Sequence, residues 1–258
     1  MSATEAQNEG NLFEAEDVKG LENVLRDTTM PAVTRRNLLS KAAVGTAAVG
    51  AFGAVGPIPS ALASNSTIST LINTAVTLEA LAVTFVSGVV ENASKIGIAS
   101  NLVPVLKAAN AAEYDHYKAL RSVGAKPLTT KFWAPNSVLA SSKAVFATVE
   151  YVEAQFINAY LIAVTAFAKA GMDSSAREAA EILGVEAEHR ALARFAQGKL
   201  PDNLGFEVYK IKTIGGIVGA LEAAGVGFGK RGKGPGAFYT YKTPSSSVLE
   251  TLSSNKPA

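Results

Sequence analysis

The motif Glu-x-x-His occurs twice in this sequence, and the two copies contain its only histidines. One copy runs from Glu113 to His116 and the other from Glu186 to His189. Residues three apart share a face of an α-helix, so each motif points a carboxylate and an imidazole in the same direction. Apolar residues share that face around both motifs: Leu106, Ala109 and Leu120, and Ala179, Ile182 and Ala193. Both motifs are therefore expected in the core of a helical bundle and not on its solvent-exposed side.

Polar groups in such a core need compensation, because burying them without partners costs several kcal/mol. A divalent metal ion suits a donor set of carboxylate and neutral imidazole. A single motif is explained more simply by a core histidine that accepts or donates a hydrogen bond to its own glutamate. Two copies on separate helices, using both histidines of the chain, favour a metal site.

A site that holds two metal ions in this way needs two more carboxylates, from two further helices. Glu79 is an isolated acid on an apolar helical stripe, formed by Ile72, Val76, Val83, Val86 and Val90. Glu153 shares a helical face with Phe146, Val149, Phe156, Tyr160 and Phe167. The expected order is therefore Glu79, the first Glu-x-x-His, Glu153 and the second Glu-x-x-His, on four helices.

Two residues near Glu153 have alternative interpretations. Glu150 lies close to the same helical face but less centrally, which makes it the second choice for the ligand from this helix. Tyr160 lies two turns after Glu153. It either contacts the metal site or packs as a core tyrosine with a hydrogen-bonded hydroxyl.

The order of these acids and motifs resembles the ferritin-like superfamily of di-iron or di-manganese carboxylate proteins. Two local stretches narrow the resemblance: Glu153 followed by Ala159-Tyr160, and Glu186-Ala-Glu-His189 followed by Arg194. They are similar to stretches of bacterial ferritin-like proteins related to desiccation-associated proteins. The resemblance covers roughly residues 66–200.

The resemblance implies a role for each of the six candidate ligands. Glu113 and Glu186 would bridge two Fe or Mn ions. Glu79 with His116 would complete the coordination of one ion, and Glu153 with His189 that of the other. The sequence does not distinguish Fe from Mn.

The fold class expected for the whole chain is all-α, because long segments lack Gly and Pro and strand-like alternation is scarce. Four helices are predicted at about residues 67–92, 99–123, 136–170 and 174–197, with Asn136-Ser137 capping the third. Gly171 would end the third helix, and Asp173 to Ser175 would begin the fourth. The segment 124–135 is long enough to cross the bundle, with Phe132 and Trp133 packing over one end. This is the one-crossover topology of ferritin-like folds.

The N-terminal region is expected to address the protein for export. Residues 1–33 are polar and acidic and are predicted to be a disordered leader. Residues 34–63 contain Arg35-Arg36, a mild apolar run and Ala61-Leu62-Ala63, which together resemble a twin-arginine signal peptide with a cleavage site. An uncleaved anchor is the alternative interpretation. The acidic leader is unusual before such a signal, so we also consider that translation starts at Met30.

The bundle is predicted to occupy residues 64–200, and residues 201–258 to form a C-terminal extension. Within the extension, residues 206–226 predict a short helix on the outside of the bundle, with a break at Gly215-Gly216. Residues 227–236 are interpreted as a flexible basic loop, because they lack the spacing of a phosphate-binding loop. Residues 243–258, rich in Ser, Thr and Pro, predict a disordered tail.

The sequence therefore favours an exported metal-binding protein with a dinuclear Fe or Mn site, acting in oxidative or desiccation stress. Two alternatives remain open: a metal-dependent oxidase or peroxidase-type enzyme, ferroxidase or catalase-like, and a metal-free structural protein of the cell envelope. The expected partner is the twin-arginine export machinery, with no stable membrane anchor after cleavage. A net charge of +2 gives no argument for nucleic acid. The absence of cysteine excludes disulfides and thiolate ligands. The oligomeric state, a homo-oligomer included, is not determined by the sequence.

Overall fold

The computed structural model describes residues 65–201 and 209–253. The leader, the signal peptide and the alternative start at Met30 lie outside these residues. The α-helices in the described ranges are α1 Asn65–Glu91, α2 Ala93–Ile96, α3 Val103–Ser122, α4 Ser142–Lys169, α5 Asp173–Ala196, α6 Ile214–Ala223 and α7 Ser246–Ser253. The strands are β1 Lys131–Pro135, β2 Gly227–Phe228 and β3 Gly236–Thr240, and 3-10 turns occupy Ser100–Leu102 and Asn136–Leu139.

The four long helices α1, α3, α4 and α5 form a bundle in which α1 packs on α3 and α4 packs on α5. One apolar cluster joins the end of α1 to the beginnings of α3 and α4 and to the end of α5. Another joins the beginning of α1 to the end of α4 and the beginning of α5. Helices α3 and α4 therefore both run antiparallel to α1, so the segment between them must cross the length of the bundle. The predicted ferritin-like topology with one long crossover is confirmed.

Helix α4 begins at Ser142, and the predicted start at Asn136 was wrong. The cap is Ser141, whose Oγ accepts a hydrogen bond from the Ala144 backbone N–H at 3.2 Å. Asn136 instead continues from β1, and its backbone N–H donates to Pro235 at 2.9 Å. The strand pairing thus delays the helix by about one turn and a half. The next connection agrees with the sequence, because Gly171 has φ 69° and α5 begins at Asp173.

A three-stranded antiparallel sheet of order β2-β1-β3 was not predicted. Its central strand lies in the crossover, and its outer strands belong to the C-terminal extension. Phe132 of β1 pairs with both Phe228 and Tyr239 across the sheet. Its side chain is buried against the middle of α1 and α4, beside Leu78 and Phe156. The crossover aromatic at 132 therefore packs along the side of the bundle and not over its end.

Three glycines of residues 227–236 make room for Trp133 and for the backbone beside it. A Cβ atom added at Gly227, Gly232 or Gly236 would lie 2.9, 2.6 or 2.8 Å from a Trp133 atom. Real Cβ atoms do not approach so closely, so only glycine fits. The Arg231 guanidinium lies 4.9 Å from the centroid of the same ring. Residues 227–236 therefore contain strand β2, a turn and the first residue of β3, packed against Trp133, so the prediction that this whole segment is a flexible loop was wrong.

The predicted helix in the extension is present as α6, but it does not break at Gly215-Gly216. Both glycines lie in its first turn, where the Thr213 Oγ1 accepts a hydrogen bond from the Gly216 N–H at 3.2 Å. Ile217 and Leu221 are fully buried against the bundle. Residues 206–208 of the predicted segment lie outside the described ranges.

The tail contains α7, so the prediction of disorder was wrong for residues 246–253. This helix packs against α3, and Val248 in its first turn is buried. Residues 254–258 lie outside the described ranges.

Two bundle helices are long and apolar enough to cross a membrane by length and composition alone. The mean hydropathy is 1.5 for Ile68–Glu91 and 1.2 for Ser142–Lys169. Core helices of soluble proteins meet the same criteria. Here each helix carries a buried acid, Glu79 or Glu153, on the face that points into the bundle. The apolar character of these helices is therefore accounted for by the bundle core.

Candidate metal centre

All six predicted ligand residues are buried together in the middle of the bundle. Their donor atoms form two groups, in each of which one donor atom per residue lies within 4.8 Å of the others. The first donor group consists of Glu79 from α1, Glu113 and His116 from α3, and Glu186 from α5. The second donor group consists of Glu113, Glu153 from α4, Glu186 and His189 from α5.

Glu113 and Glu186 belong to both donor groups because each presents one oxygen to each histidine. Glu113 places Oε2 3.6 Å from His116 Nδ1 and Oε1 2.9 Å from His189 Nδ1. Glu186 places Oε1 3.3 Å from His116 Nδ1 and Oε2 3.3 Å from His189 Nδ1. This division of oxygens is the arrangement that a carboxylate needs to bridge two metal ions.

Glu79 and Glu153 each belong to one donor group only. Glu79 Oε2 lies 3.6 Å from His116 Nδ1, and Glu153 Oε1 lies 3.8 Å from His189 Nδ1. The alternative ligand Glu150 points elsewhere: its Oε1 accepts from Arg194 at 2.6 Å and its Oε2 from Gln197 at 2.8 Å. The geometry therefore favours Glu153 over Glu150.

The donor set fits a metal ion because its polar atoms are buried and directed at one another. Among the described side chains, eight atoms of this cluster are buried and lie in ion-pair contacts with one another but form no hydrogen bond of good geometry: Glu79 Oε2, both oxygens of Glu113 and of Glu186, Glu153 Oε2, His116 Nδ1 and His189 Nδ1. Buried polar atoms in native proteins are nearly always paired, so such a concentration requires an explanation. Ligation of metal ions would satisfy all eight at once.

The charge distribution around the histidines agrees with this interpretation. Burial alone would lower the pKa of His116 and of His189, but the nearby carboxylates of Glu113 and Glu186 outweigh burial and raise both pKa values. Burial alone would raise the pKa of Glu113, but the two histidines outweigh it and lower that pKa well below its usual range. Without metal, the imidazoles therefore hold protons that a metal ion must displace.

Glu79 and Glu153, which each belong to one donor group and are called the terminal acids below, have pKa values shifted in the opposite direction to that of Glu113. Burial, followed by repulsion from Glu186, raises the pKa of Glu79 and of Glu153 well above the usual range. Carboxyl groups that resist ionisation in the metal-free cluster are expected where a cation normally supplies the missing positive charge.

Tyr160 contacts the cluster directly, since its hydroxyl donates a hydrogen bond to Glu79 Oε1. It is also a buried core residue, so both sequence interpretations apply. Burial, and then the negative charge of Glu79, raises the pKa of the phenol well above its usual value. Tyr160 therefore stays protonated and acts as a donor. The sequence could not identify Glu79 as its partner, because the two residues lie on different helices.

Sequence reasoning did not predict the network at the end of α5. Besides Arg194 and Gln197, Lys199 binds Glu150, with Nζ 2.5 Å from Oε2. Gln197 Nε2 also donates to the Phe146 carbonyl at 3.2 Å. These contacts fix the end of α5 on α4: Glu150 lies three residues before the candidate ligand Glu153, and Arg194 five residues after the candidate ligand His189. Arg194 was singled out in the sequence only because it is part of the family resemblance. In the structure it binds Glu150.

Comparison with protein families agrees with the geometry. The model of the ferritin-like domain matches residues 68–199, which extend from the first turn of α1 to just beyond α5 and include all six candidate ligands. The comparisons with curated proteins and with solved structures gave no match. The family match covers half of the chain and coincides with the bundle that carries the buried Glu and His cluster. The chain therefore belongs to the ferritin-like domain family.

Proposed function

We propose that this protein binds two Fe or Mn ions, one at each donor group, with Glu113 and Glu186 as the shared ligands. The observation that carries the proposal is the set of eight buried atoms without a well-formed hydrogen bond, divided between two donor groups that share Glu113 and Glu186, each of which gives one oxygen to each group. Carboxylate oxygen and imidazole nitrogen suit Fe and Mn. A structural role without metal would leave those atoms with ion pairs alone and without well-formed hydrogen bonds.

The residues of the chain prepare this site in three ways. The bundle core excludes water, because the side chains of Glu79, Glu113 and Glu186 are at most 1% exposed. The histidines present Nδ1 to the carboxylates, which sets the atom that would bind metal. Tyr160 holds one oxygen of Glu79 and leaves the other directed at His116. Bound Fe or Mn would supply redox chemistry towards dioxygen or peroxide.

An oxidase or peroxidase-type activity, including ferroxidase or catalase-like turnover, is the second candidate function. It is favoured by the number of donors, because each group offers one donor atom from each of four residues. Iron and manganese accept more ligands than four, so positions remain for a small substrate. Initial rates of Fe(II) oxidation and of peroxide loss, measured per bound metal ion, separate an enzyme from a metal-binding protein without turnover.

We also propose export and a role in stress protection. The support for export is the sequence pattern around Arg35-Arg36, and the support for the stress role is the resemblance to desiccation-related ferritin-like proteins. The variant Arg35→Lys/Arg36→Lys should stay inside the cell, whereas the wild-type protein should be exported and, after cleavage, begin near Ser64. If the variant is still exported, the twin-arginine machinery is excluded as a partner. If a strain that lacks the gene survives peroxide and drying as well as the parent strain does, the proposed stress role is excluded.

Metal analysis tests the core of the proposal. The wild-type protein, purified without chelators, should contain about two Fe or Mn ions per chain, as two donor groups require. The double variant Glu113→Gln/Glu186→Gln keeps the side-chain volumes but removes both shared carboxylates, so it should contain none. Glu150→Gln is the matched control, since it removes a carboxylate of α4 outside the cluster. A folded wild-type protein that takes up neither Fe(II) nor Mn(II) would exclude the metal site.

A further inference from the structure

The two halves of the candidate centre repeat one another in sequence. Helices α1 and α3 supply Glu79 and the first Glu-x-x-His, and helices α4 and α5 supply Glu153 and the second. Tyr160 lies seven residues after Glu153 on α4. The residue seven positions after Glu79 on α1 is Val86. The halves therefore differ at this position, where one has a hydroxyl donor and the other an apolar side chain.

This difference leaves only one terminal acid held by a tyrosine. Because α1 and α4 are antiparallel, Tyr160 reaches across to Glu79 and donates its hydroxyl proton to Oε1. Val86 occupies the repeated position on α1, is 7% exposed and packs in an apolar cluster with Val145 and Phe146. Valine has no hydrogen to donate to a carboxylate.

The two terminal acids differ accordingly in their surroundings. Glu79 is fully buried, with Oε1 bound by Tyr160 and Oε2 left for the first donor group. Glu153 is 5% exposed, and its buried Oε2 has no hydrogen-bond partner. Its Oε1 lies 3.8 Å from His189 Nδ1, beyond hydrogen-bonding distance. Glu79 is thus oriented by a donor outside the candidate ligand set before metal binds, whereas the polar contacts of Glu153 are with the candidate ligands Glu186 and His189, which metal would rearrange.

We propose that the two metal positions are unequal, and that Tyr160 is the positioning residue that makes them so. The position of Glu79 and His116 fills first and binds more tightly. The position of Glu153 and His189 fills second and exchanges its ion more readily. Groups that orient a ligand through a hydrogen bond typically change metal affinity about 10–100-fold. This inference rests on the proposed dinuclear site.

Titration of the metal-depleted full-length protein with Mn(II), followed by the electron paramagnetic resonance signal of free Mn(II), measures both steps. The wild-type protein should bind in two unequal steps. Tyr160→Phe removes only the hydroxyl, so it should weaken the tighter step about 10–100-fold and leave the weaker step unchanged. Tyr151→Phe is the matched control on the same helix, since that hydroxyl donates to the Ala220 carbonyl, away from the cluster.

Two further variants assign the steps to positions. Glu79→Gln should remove the tighter step, and Glu153→Gln the weaker one. Equal steps in the wild-type protein, a Tyr160→Phe variant that binds as the wild type does, or loss of the tighter step in Glu153→Gln would each overturn the inequality. The two Gln variants still decide whether the position of Glu79 binds more tightly if Tyr160→Phe does not fold. A wild-type protein that binds no Mn(II) would instead overturn the proposed function itself.

Discussion

The middle of the bundle and its two ends are built from the same four helices but have opposite chemistry. At one end, Ile68, Leu71 and Phe167 belong to an apolar cluster. At the other, Val89 and Phe146 belong to another. Between these clusters lie four buried carboxylates and two imidazoles, eight of whose polar atoms form no hydrogen bond of good geometry.

This contrast indicates a division of labour along the helices. Apolar burial at the ends contributes roughly 25 cal/mol for each Å² removed from water, and it does not depend on metal. The middle opposes folding until its charges are compensated. The fold is therefore expected to depend on the ends, and metal binding on the middle. The predictions below test this separation.

Removing the shared carboxylates should have the largest effect. In Glu113→Gln/Glu186→Gln, metal uptake should fall from about two ions per chain to almost none, because both donor groups lose two of their four residues. The metal-free variant should be about as stable as the metal-free wild type, because it loses the pairs of Glu113 with both histidines but also the repulsion of Glu186 on Glu79 and Glu153. Urea unfolding in the presence of a chelator measures this. A strongly destabilised double variant would show that the middle layer also supports the fold.

Removing a large apolar side chain from one end of the bundle should lower stability and leave metal binding intact. Phe146→Ala should lower the free energy of unfolding by about 3–5 kcal/mol, because it leaves a cavity in a packed cluster. At temperatures below its midpoint of thermal unfolding, where the variant is folded, it should still bind metal. Phe195→Ala is the matched control, since Phe195 is 65% exposed and its loss should change stability by at most about 0.5 kcal/mol. Loss of metal from folded Phe146→Ala would contradict the separation.

The metal-free and metal-loaded proteins should respond to pH in opposite directions. Glu79 and Glu153 have folded pKa values above their ordinary 4.5, and His116 and His189 above 6.5. A raised folded pKa contributes stability below the ordinary pKa, and that stability is lost as pH rises towards the folded pKa. Metal-free protein should therefore lose stability between about pH 5 and 8, by up to about 1.4 kcal/mol per unit for each titrating group.

Metal-loaded protein should gain stability over the same range, because ligands bind metal in their deprotonated form. Glu113, whose pKa is lowered, is ionised throughout and does not alter this sign. Thermal unfolding at several pH values, with chelator and with saturating Mn(II), measures both slopes. Parallel slopes would show that the cluster does not exchange protons for metal.

The smallest effect is expected for the ionic network beside the centre. Burial would raise the pKa of Glu150, but Lys199, then Gln197 and Arg194, outweigh it and lower that pKa to about 2. Glu150→Gln should therefore cost about 1 kcal/mol of stability at neutral pH and leave metal content unchanged. The contribution is present above about pH 4.5 and is lost as pH falls towards 2. Urea unfolding at pH 7 and pH 3 should show a clearly larger difference between variant and wild type at the higher pH.

The sequence was sufficient to locate the six residues that the bundle brings together. Each is a charged or polar residue on an otherwise apolar helical stripe, and helical periodicity alone shows this anomaly. The Tyr160–Glu79 contact could not be predicted from the sequence, because it depends on how α4 lies against α1. The distinction between Glu150 and Glu153 also required the structure, since both lie near the same helical face.

The elements that the sequence did not predict depend on contacts between distant parts of the chain. Strand β2 has only two residues, too few for an alternating pattern. It exists because Phe228 pairs with Phe132, far away in the sequence. The glycines around Trp133 suggest a flexible loop until the indole that they surround is known. The Ser-rich composition of α7 predicted disorder, but the helix forms because its buried face packs against α3.

The central position of β1 in the sheet has a consequence for the order of events during synthesis. The crossover strand is made early, but both of its neighbours come from residues 227–240, which leave the ribosome much later. Until then, the backbone groups of Lys131 to Pro135 lack strand partners, and water must satisfy them. The side of the bundle that Phe132 covers thus stays open while α4 and α5 are being made. Completion of this side is necessarily a late step, which the C-terminal extension controls.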